Sequence, residues 1–232
     1  MSKSTGGIPI PLFVPNVLGY IRFLTILASW PFAMTDPQTF LALYATSYLL
    51  GAIDGPLAKL LNQQSFFGTQ LDILMSRFAT SSLIFAVLKL GLAVIKDEWE
   101  RMKFAFFFAT VFLSDFVSYW FQVYSSYLLD EESHVTPVKI VQTILWILKL
   151  PGIALAMNAM AELYVVDHYL AFFPNHPLQV KLVTCECYGM FVTAVKAGLA
   201  LKVGHNVAHL LVSAVRIVKL DVNQKNAELK RQ

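Results

Sequence analysis

The chain has 232 residues, of which 56% are apolar and only 14% charged, with a mean hydropathy of +0.58. A soluble domain carries about 25% charged residues, so the composition excludes one and points to an integral membrane protein. The formal charge of +3 is too small to suggest a nucleic-acid partner. Residues 1–7 are polar, and the apolar run after them continues for a full span, so no removable signal is expected.

About 20 apolar residues cross a bilayer. Six segments reach that length once modest polar interruption is allowed: 13–34, 38–60, 67–95, 103–128, 138–164 and 183–218. The fold class expected is therefore all-α, a bundle of six transmembrane helices over 13–218. An amphipathic lead-in over 1–12 precedes it and a charged tail over 219–232 follows it. Pro151 should bend the fifth span. With six spans both termini share one side. Lys and Arg number nine there (Lys3, Lys59, Arg77, Lys139, Arg216, Lys219, Lys225, Lys230 and Arg231) against four opposite (Lys96, Arg101, Lys103 and Lys181), which puts the termini on the cytoplasm-equivalent side. Cys185 and Cys187 fall inside the last apolar run, where a helix would turn them to different sides as buried free thiols.

Candidate chemistry concentrates where the second and third spans carry polar residues. Gly51-Ala-Ile-Asp54-Gly55-Pro-Leu-Ala58-Lys59 is followed by Gly68-Thr-Gln-Leu-Asp72-Ile-Leu-Met-Ser76. An ionisable group at membrane depth costs about 2.5–3.5 kcal/mol on insertion scales, so Asp54 and Asp72 read as a functional site. Gly51 and Asp54 are three apart and Asp72 and Ser76 four apart, so each pair shares a helix face. The bland alternative is ion pairing of the two aspartates with Lys59 and Arg77. Gly55 and Gly68 would let helices approach closely. Arg22 reaches either lipid phosphate or, by snorkelling, the interface. His205 and His209 lie four apart and read as packing side chains. Lys89, Lys149, Glu162, Glu186, Lys196 and Lys202 are too many charges for a lipid-facing surface and call for internal pairing or neighbouring subunits. The aromatic run from Trp99 to Phe112 suits lipid or packing contacts near an interface.

The motif resembles that of the CDP-alcohol phosphotransferases, Asp-x2-Asp-Gly-x2-Ala-Arg-x8-Gly-x3-Asp-x3-Asp, at every spacing. Gly51 and Ser76 stand where the first and fourth aspartates belong, and Lys59 replaces the arginine. The resemblance is closest to the phosphatidylinositol synthase branch. Phe13-Val14-Pro15-Asn16, Gly19-Tyr20, Arg22, Asn62-Gln63, Asp115, Ser118, Trp120, Ser125-Ser126 and Ser133-His134 carry it, whereas Lys149-Leu150-Pro151 departs from the branch's Ser-Arg-Pro. What the resemblance implies is four aspartates holding two divalent ions, a CDP-linked lipid docked through its pyrophosphate, and an alcohol attacking with release of CMP. The fourth aspartate would also be the general base. Carried over, Asp54 and Asp72 are the remaining metal positions, and Gly55, Ala58, Lys59 and Gly68 are the nucleotide-binding remnant. Hard divalent ions want several oxygen ligands, and loss of a general base typically costs 10²–10⁴-fold. The expectation is a catalytically inactive protein with no cofactor, serving as a structural or lipid-binding subunit of a larger membrane complex. The alternative is an active synthase using Mg²⁺ or Mn²⁺. Expected partners are phospholipids, membrane subunits and a second copy of the chain. The expected home is the mitochondrial inner membrane for a complex subunit and the endoplasmic reticulum for an active synthase.

Overall fold

The computed structural model describes residues 9–128, 147–148 and 150–229, and among these the regular structure is helical throughout, with no strand. The helices are α1 (Val14–Ser29), α2 (Pro37–Leu60), α3 (Phe66–Val94), α4 (Glu98–Leu128), α5 (Pro151–Ala171), α6 (Pro177–Val183) and α7 (Tyr188–Leu229). Short 3-10 turns at Ile10–Leu12 and Trp30–Phe32 flank α1. Among the described residues four helices are long and apolar enough to cross a membrane, namely α2, α3, α4 and α7. The expected count of six is not confirmed among these residues. The first span is divided between 16-residue α1 and the 3-10 turn at Trp30–Phe32. The segment expected at 138–164 begins outside the described residues, and α5 runs on past it to Ala171. Pro151, expected to bend that segment, stands at the first position of α5, where its missing N–H has no helical partner to lose. Lys3, Ser133-His134, Lys139, Lys149, Lys230 and Arg231 lie outside the described residues.

Local chemistry sets the helix ends. Asp36 caps α2, its Oδ1 accepting from the amides of Gln38 and Thr39, both at 3.1 Å, with Pro37 at the first helical position. Ser65 caps α3 by accepting from the Gly68 amide at 3.0 Å. At the far end of α2, Asn62 takes a left-handed conformation (φ 52°). The Gln63 amide then returns to the Ala58 carbonyl at 2.9 Å and the Asn62 amide to that of Lys59 at 3.2 Å. This is a Schellman termination, and asparagine is the side chain other than glycine that tolerates it best.

The chain divides into two compact units, residues 1–101 with 168–181 and residues 102–167 with 182–232. In the first, α1 packs on both α2 and α3. Its core includes Ile26, Phe40, Leu83, Val87 and Tyr169, all fully buried, and the Tyr169 hydroxyl donates to the Ala33 carbonyl at 2.9 Å. In the second, Gly198 on α7 lies so close to α5 that an added Cβ would collide with the side chain of Met160. Beside this contact, buried Lys202 stands 3.8 Å from Asp115 and 3.7 Å from Glu162, and Asn206 Nδ2 donates to Asp115 at 3.1 Å. Lys202 and Glu162, read in the sequence as charges in need of a partner, therefore meet within the unit. Lys89, Glu186 and Lys196 are exposed.

One sequence expectation is corrected here. Cys185 and Cys187 are exposed, in a turn that interrupts the last apolar run between α6 and α7, and their sulfurs are bonded to one another. The presumed helix that would have turned them apart does not exist at 184–187. The charged segment from 219 to 229 is helical, as the continuation of α7 to Leu229.

Large apolar side chains lie exposed in both units, among them Leu60 and Phe66 at 78% and Phe106 at 74%. A solvated protein would aggregate through such a surface, whereas lipid matches it at no cost. The aromatic run divides accordingly. Trp99, Phe106 and Phe107 are exposed and Phe108 is buried.

Candidate functional site

The site lies within the first unit, where α1, α2 and α3 meet, and its centre is Arg22. This side chain is 3% exposed. Its Nη1 donates to Asp54 Oδ2 at 2.6 Å and to Asp72 Oδ1 at 2.7 Å, while Nη2 donates to the Ser76 hydroxyl at 3.1 Å. One guanidinium from α1 thereby joins three motif positions from α2 and α3. Arg22 therefore points at two carboxylates of its own unit, not at an interface or a lipid phosphate. The same geometry corrects the expected ion pairs. Arg22, rather than Lys59 or Arg77, takes both aspartates.

The fourth motif position completes the arrangement. A Cβ at Gly51 would run into the Arg22 guanidinium, so the missing side chain makes room for the arginine head. Gly68 is equally constrained, since its added Cβ would fall 2.6 Å from Asn16 Oδ1 and 3.0 Å from Ser65 Oγ. Gly55 differs. Nothing lies within 4 Å of its added Cβ, so it does not serve helix approach, contrary to expectation, and instead faces open space.

That space is a cavity of about 510 Å³ whose lining includes Asp54, Gly55, Ala58, Lys59, Gly68 and Asp72. Its volume falls in the range of small-molecule sites, roughly 300–1,000 Å³. Asp54 is nearly closed off, with 7% of its side chain exposed, while the Asp72 side chain keeps 45%. Pro56 sits one residue beyond Gly55 inside α2 and cannot donate to the helix ladder, so the backbone is loosened next to the motif.

Two residues of the site had no role assigned from sequence. Asn16, only 1% exposed, donates to the Ile10 carbonyl at 2.6 Å and presses its other amide atom against Gly68. Gln63, delivered by the Asn62 turn, accepts from the Val14 amide at 2.8 Å and so satisfies an orphan donor at the start of α1. An asparagine inside an apolar run and an Asn-Gln pair closing a helix are the signals that mark them. His205 and His209 meet edge to face with ring centroids 4.5 Å apart, and among the described residues no group of three or more His, Cys, Asp or Glu side chains could hold a metal ion.

A profile of the CDP-alcohol phosphatidyltransferase family matches residues 12–180. The chain belongs to that family. It is 33% identical over 211 residues to the human CDP-diacylglycerol–inositol 3-phosphatidyltransferase, covering 90% of this chain and 93% of the relative. The Saccharomyces cerevisiae protein of the same name is 27% identical over 222 residues, covering 95% and 91%. An Arabidopsis thaliana relative, CDP-diacylglycerol–inositol 3-phosphatidyltransferase 1, is 31% identical over 123 residues, covering 53% of this chain and 49% of its own. No solved structure is a significant match. The chain is thus a phosphatidylinositol-synthase-like integral membrane protein.

Members of this family use divalent metal ions, and the donor set here does not fit two of them. Two carboxylates remain, both spent on Arg22, with a neutral hydroxyl and a bare backbone at the other two positions. A divalent ion about 4 Å from the guanidinium would meet a repulsion of roughly 8 kcal/mol at an effective dielectric constant of about 20.

Proposed function

We propose that this protein is a phosphatidylinositol-synthase-type membrane protein that holds a CDP-linked lipid in its cavity without transferring the phosphatidyl group. The observation that carries this reading is the single guanidinium joining Asp54, Asp72 and Ser76. A hydroxyl at position 76 cannot accept a proton near neutral pH as a carboxylate does, so an attacking alcohol lacks its base. The features that would receive a ligand remain in place: Gly55 opens onto the cavity, Lys59 lines it, and Asp72 keeps an exposed edge. The need for neighbouring subunits is weakened by the internal pairing of Lys202, Asp115 and Glu162, so lipid binding is the role advanced.

A second reading is transfer itself, from CDP-diacylglycerol to inositol with release of CMP. Its support is the relatives, whose names are those of transferases, and the half-exposed Asp72, the one carboxylate within reach of a substrate proton.

The binding proposal is tested by titrating CDP-diacylglycerol into the nanodisc-embedded protein and following bound lipid by native mass spectrometry. Saturable binding, competed by CMP and weakened at least about tenfold by Ala58→Leu, is expected, since a larger side chain there fills the cavity. Ala58→Leu should leave the melting temperature near that of the parent. Absence of saturable binding overturns the proposal.

A further inference from the structure

We infer that α7 carries a self-association seam, along which a second copy of this chain packs in parallel as a two-stranded coiled coil that continues beyond the membrane. The inference stands apart from ligand binding and holds whether or not the cavity takes a CDP-linked lipid.

Length sets the problem. α7 has 42 residues, about 63 Å at 1.5 Å per residue, whereas the hydrocarbon core of a bilayer is about 30 Å thick. Roughly half of the helix therefore lies outside the apolar layer, and the charges at Arg216, Lys219, Asp221, Lys225 and Glu228 mark the protruding end. Among the described residues from 210 onward, the exposed large apolar side chains are Leu211, Val215, Val218, Val222 and Leu229. Lys225 fills the one gap, and the positions then step by four and three residues in alternation. That is a heptad repeat. The same steps run back through Leu201 to Met190, both exposed. On a straight helix such a line drifts by about 20° per heptad, and it keeps to one face only when the helix supercoils around another. Lipid covers Met190 and Leu201, but it does not reach Val218 at 60% exposure or Leu229 at 69%.

Symmetry, charge and area name the occupant. Two copies insert into a bilayer in one orientation, so a two-fold axis along the membrane normal sets α7 against itself, parallel and in register, as a heptad seam requires. Between Val218 and Leu229, Lys219 and Lys225 balance Asp221 and Glu228, so the protruding face is neutral and does not repel its copy. A helix built for an anionic lipid surface would instead carry an excess of basic residues. The seven large apolar side chains of the seam, each offering roughly 70 Å², bury about 1,000 Å² over two copies, the size at which a specific interface becomes stable. Lys225 is the one polar member, and a polar residue in such a seam fixes register at a cost in stability.

The test uses the full chain and reads mass. Val218→Cys, oxidised in native membranes before extraction, should give a covalent adduct of twice the 26.0 kDa chain. Gln224→Cys, exposed on the opposite side of the helix, should give none. In mild detergent, light scattering should find the parent at the same doubled protein mass. Val218→Glu combined with Val222→Glu should weaken that association by about tenfold or more, whereas Gln224→Glu should leave it unchanged. All of these positions are exposed, and the cross-link at 218 keeps a side chain close to valine in size, so it reports on the surface rather than on folding. A monomeric parent, no adduct at 218, equal cross-linking at 224, or a dimer indifferent to the double variant overturns the inference. An adduct of any other mass places a different protein on the seam and overturns its assignment to a second copy.

Discussion

Gly51→Ala should destabilise the protein although alanine is the better helix former. In an unobstructed helix interior, glycine to alanine gains about 0.5–1 kcal/mol. At position 51 the new Cβ would overlap the Arg22 guanidinium, which can retreat only by stretching its contacts to Asp54, Asp72 and Ser76. Hydrogen bonds to charged groups contribute about 1.5–3 kcal/mol each, so loss of one or two, offset by the propensity gain, leaves a net cost of about 0.5–5.5 kcal/mol. For a chain of this size that lowers the melting temperature by roughly 2–4 °C per kcal/mol. Gly204→Ala on α7, where nothing lies within 4 Å of the added Cβ, is the internal control and should hold or raise it. The assay is thermal unfolding of both variants in one detergent. A Gly51→Ala protein as stable as the parent, or more so, would refute the claim that the guanidinium is locked in place.

Three further outcomes follow from the same structure. Lys202→Met removes the ammonium 3.8 Å from buried Asp115 and 3.7 Å from buried Glu162, and breaking a buried pair from one side costs about 3–5 kcal/mol. Adding Glu162→Gln should recover part of that loss in a double-mutant cycle by thermal unfolding. Gly198→Ala forces α7 away from Met160 and should cost about 1–3 kcal/mol by overpacking, with Met160→Gly, which removes the clashing Cβ, as a partial rescue in the same assay. At the start of α2, the Thr39 hydroxyl beside Asp36 holds that carboxyl below its usual range. The cap is therefore fully present above the ordinary carboxylate pKa and fades as pH falls through the lowered one. The protection factors of the Gln38 and Thr39 amides, which correct for the pH dependence of intrinsic exchange, should fall in acid, and Asp36→Ala should give that low protection at neutral pH.

The sequence was legible where local chemistry sets an end. The second and third helices were expected at 38–60 and 67–95 and occur at Pro37–Leu60 and Phe66–Val94, because Asp36-Pro37 and Ser65 mark their starts. The fourth begins at Glu98 rather than 103. Hydropathy discounts its charged first turn, whereas a hydrogen bond from the Glu100 amide to Asp97 Oδ1 at 2.8 Å and two glutamates suit a helix N-terminus. The charged segment beyond 218 stays helical to Leu229, since polarity ends a membrane span without ending a helix. The positions of the site were visible in the motif spacing, but its wiring was not. In one dimension Arg22 is an expense to be carried to an interface, and Gly51 is a missing ligand. Only the packing of α1 between α2 and α3 shows that the empty position and the arginine fit each other.

The most direct test of the central claim is CMP release by purified protein given CDP-diacylglycerol, inositol and Mn²⁺, measured against an Asp54→Ala, Asp72→Ala variant in the same membrane mimic. The account predicts that the two proteins release CMP at the same background rate. Release by the parent clearly above the variant would contradict it and establish transfer.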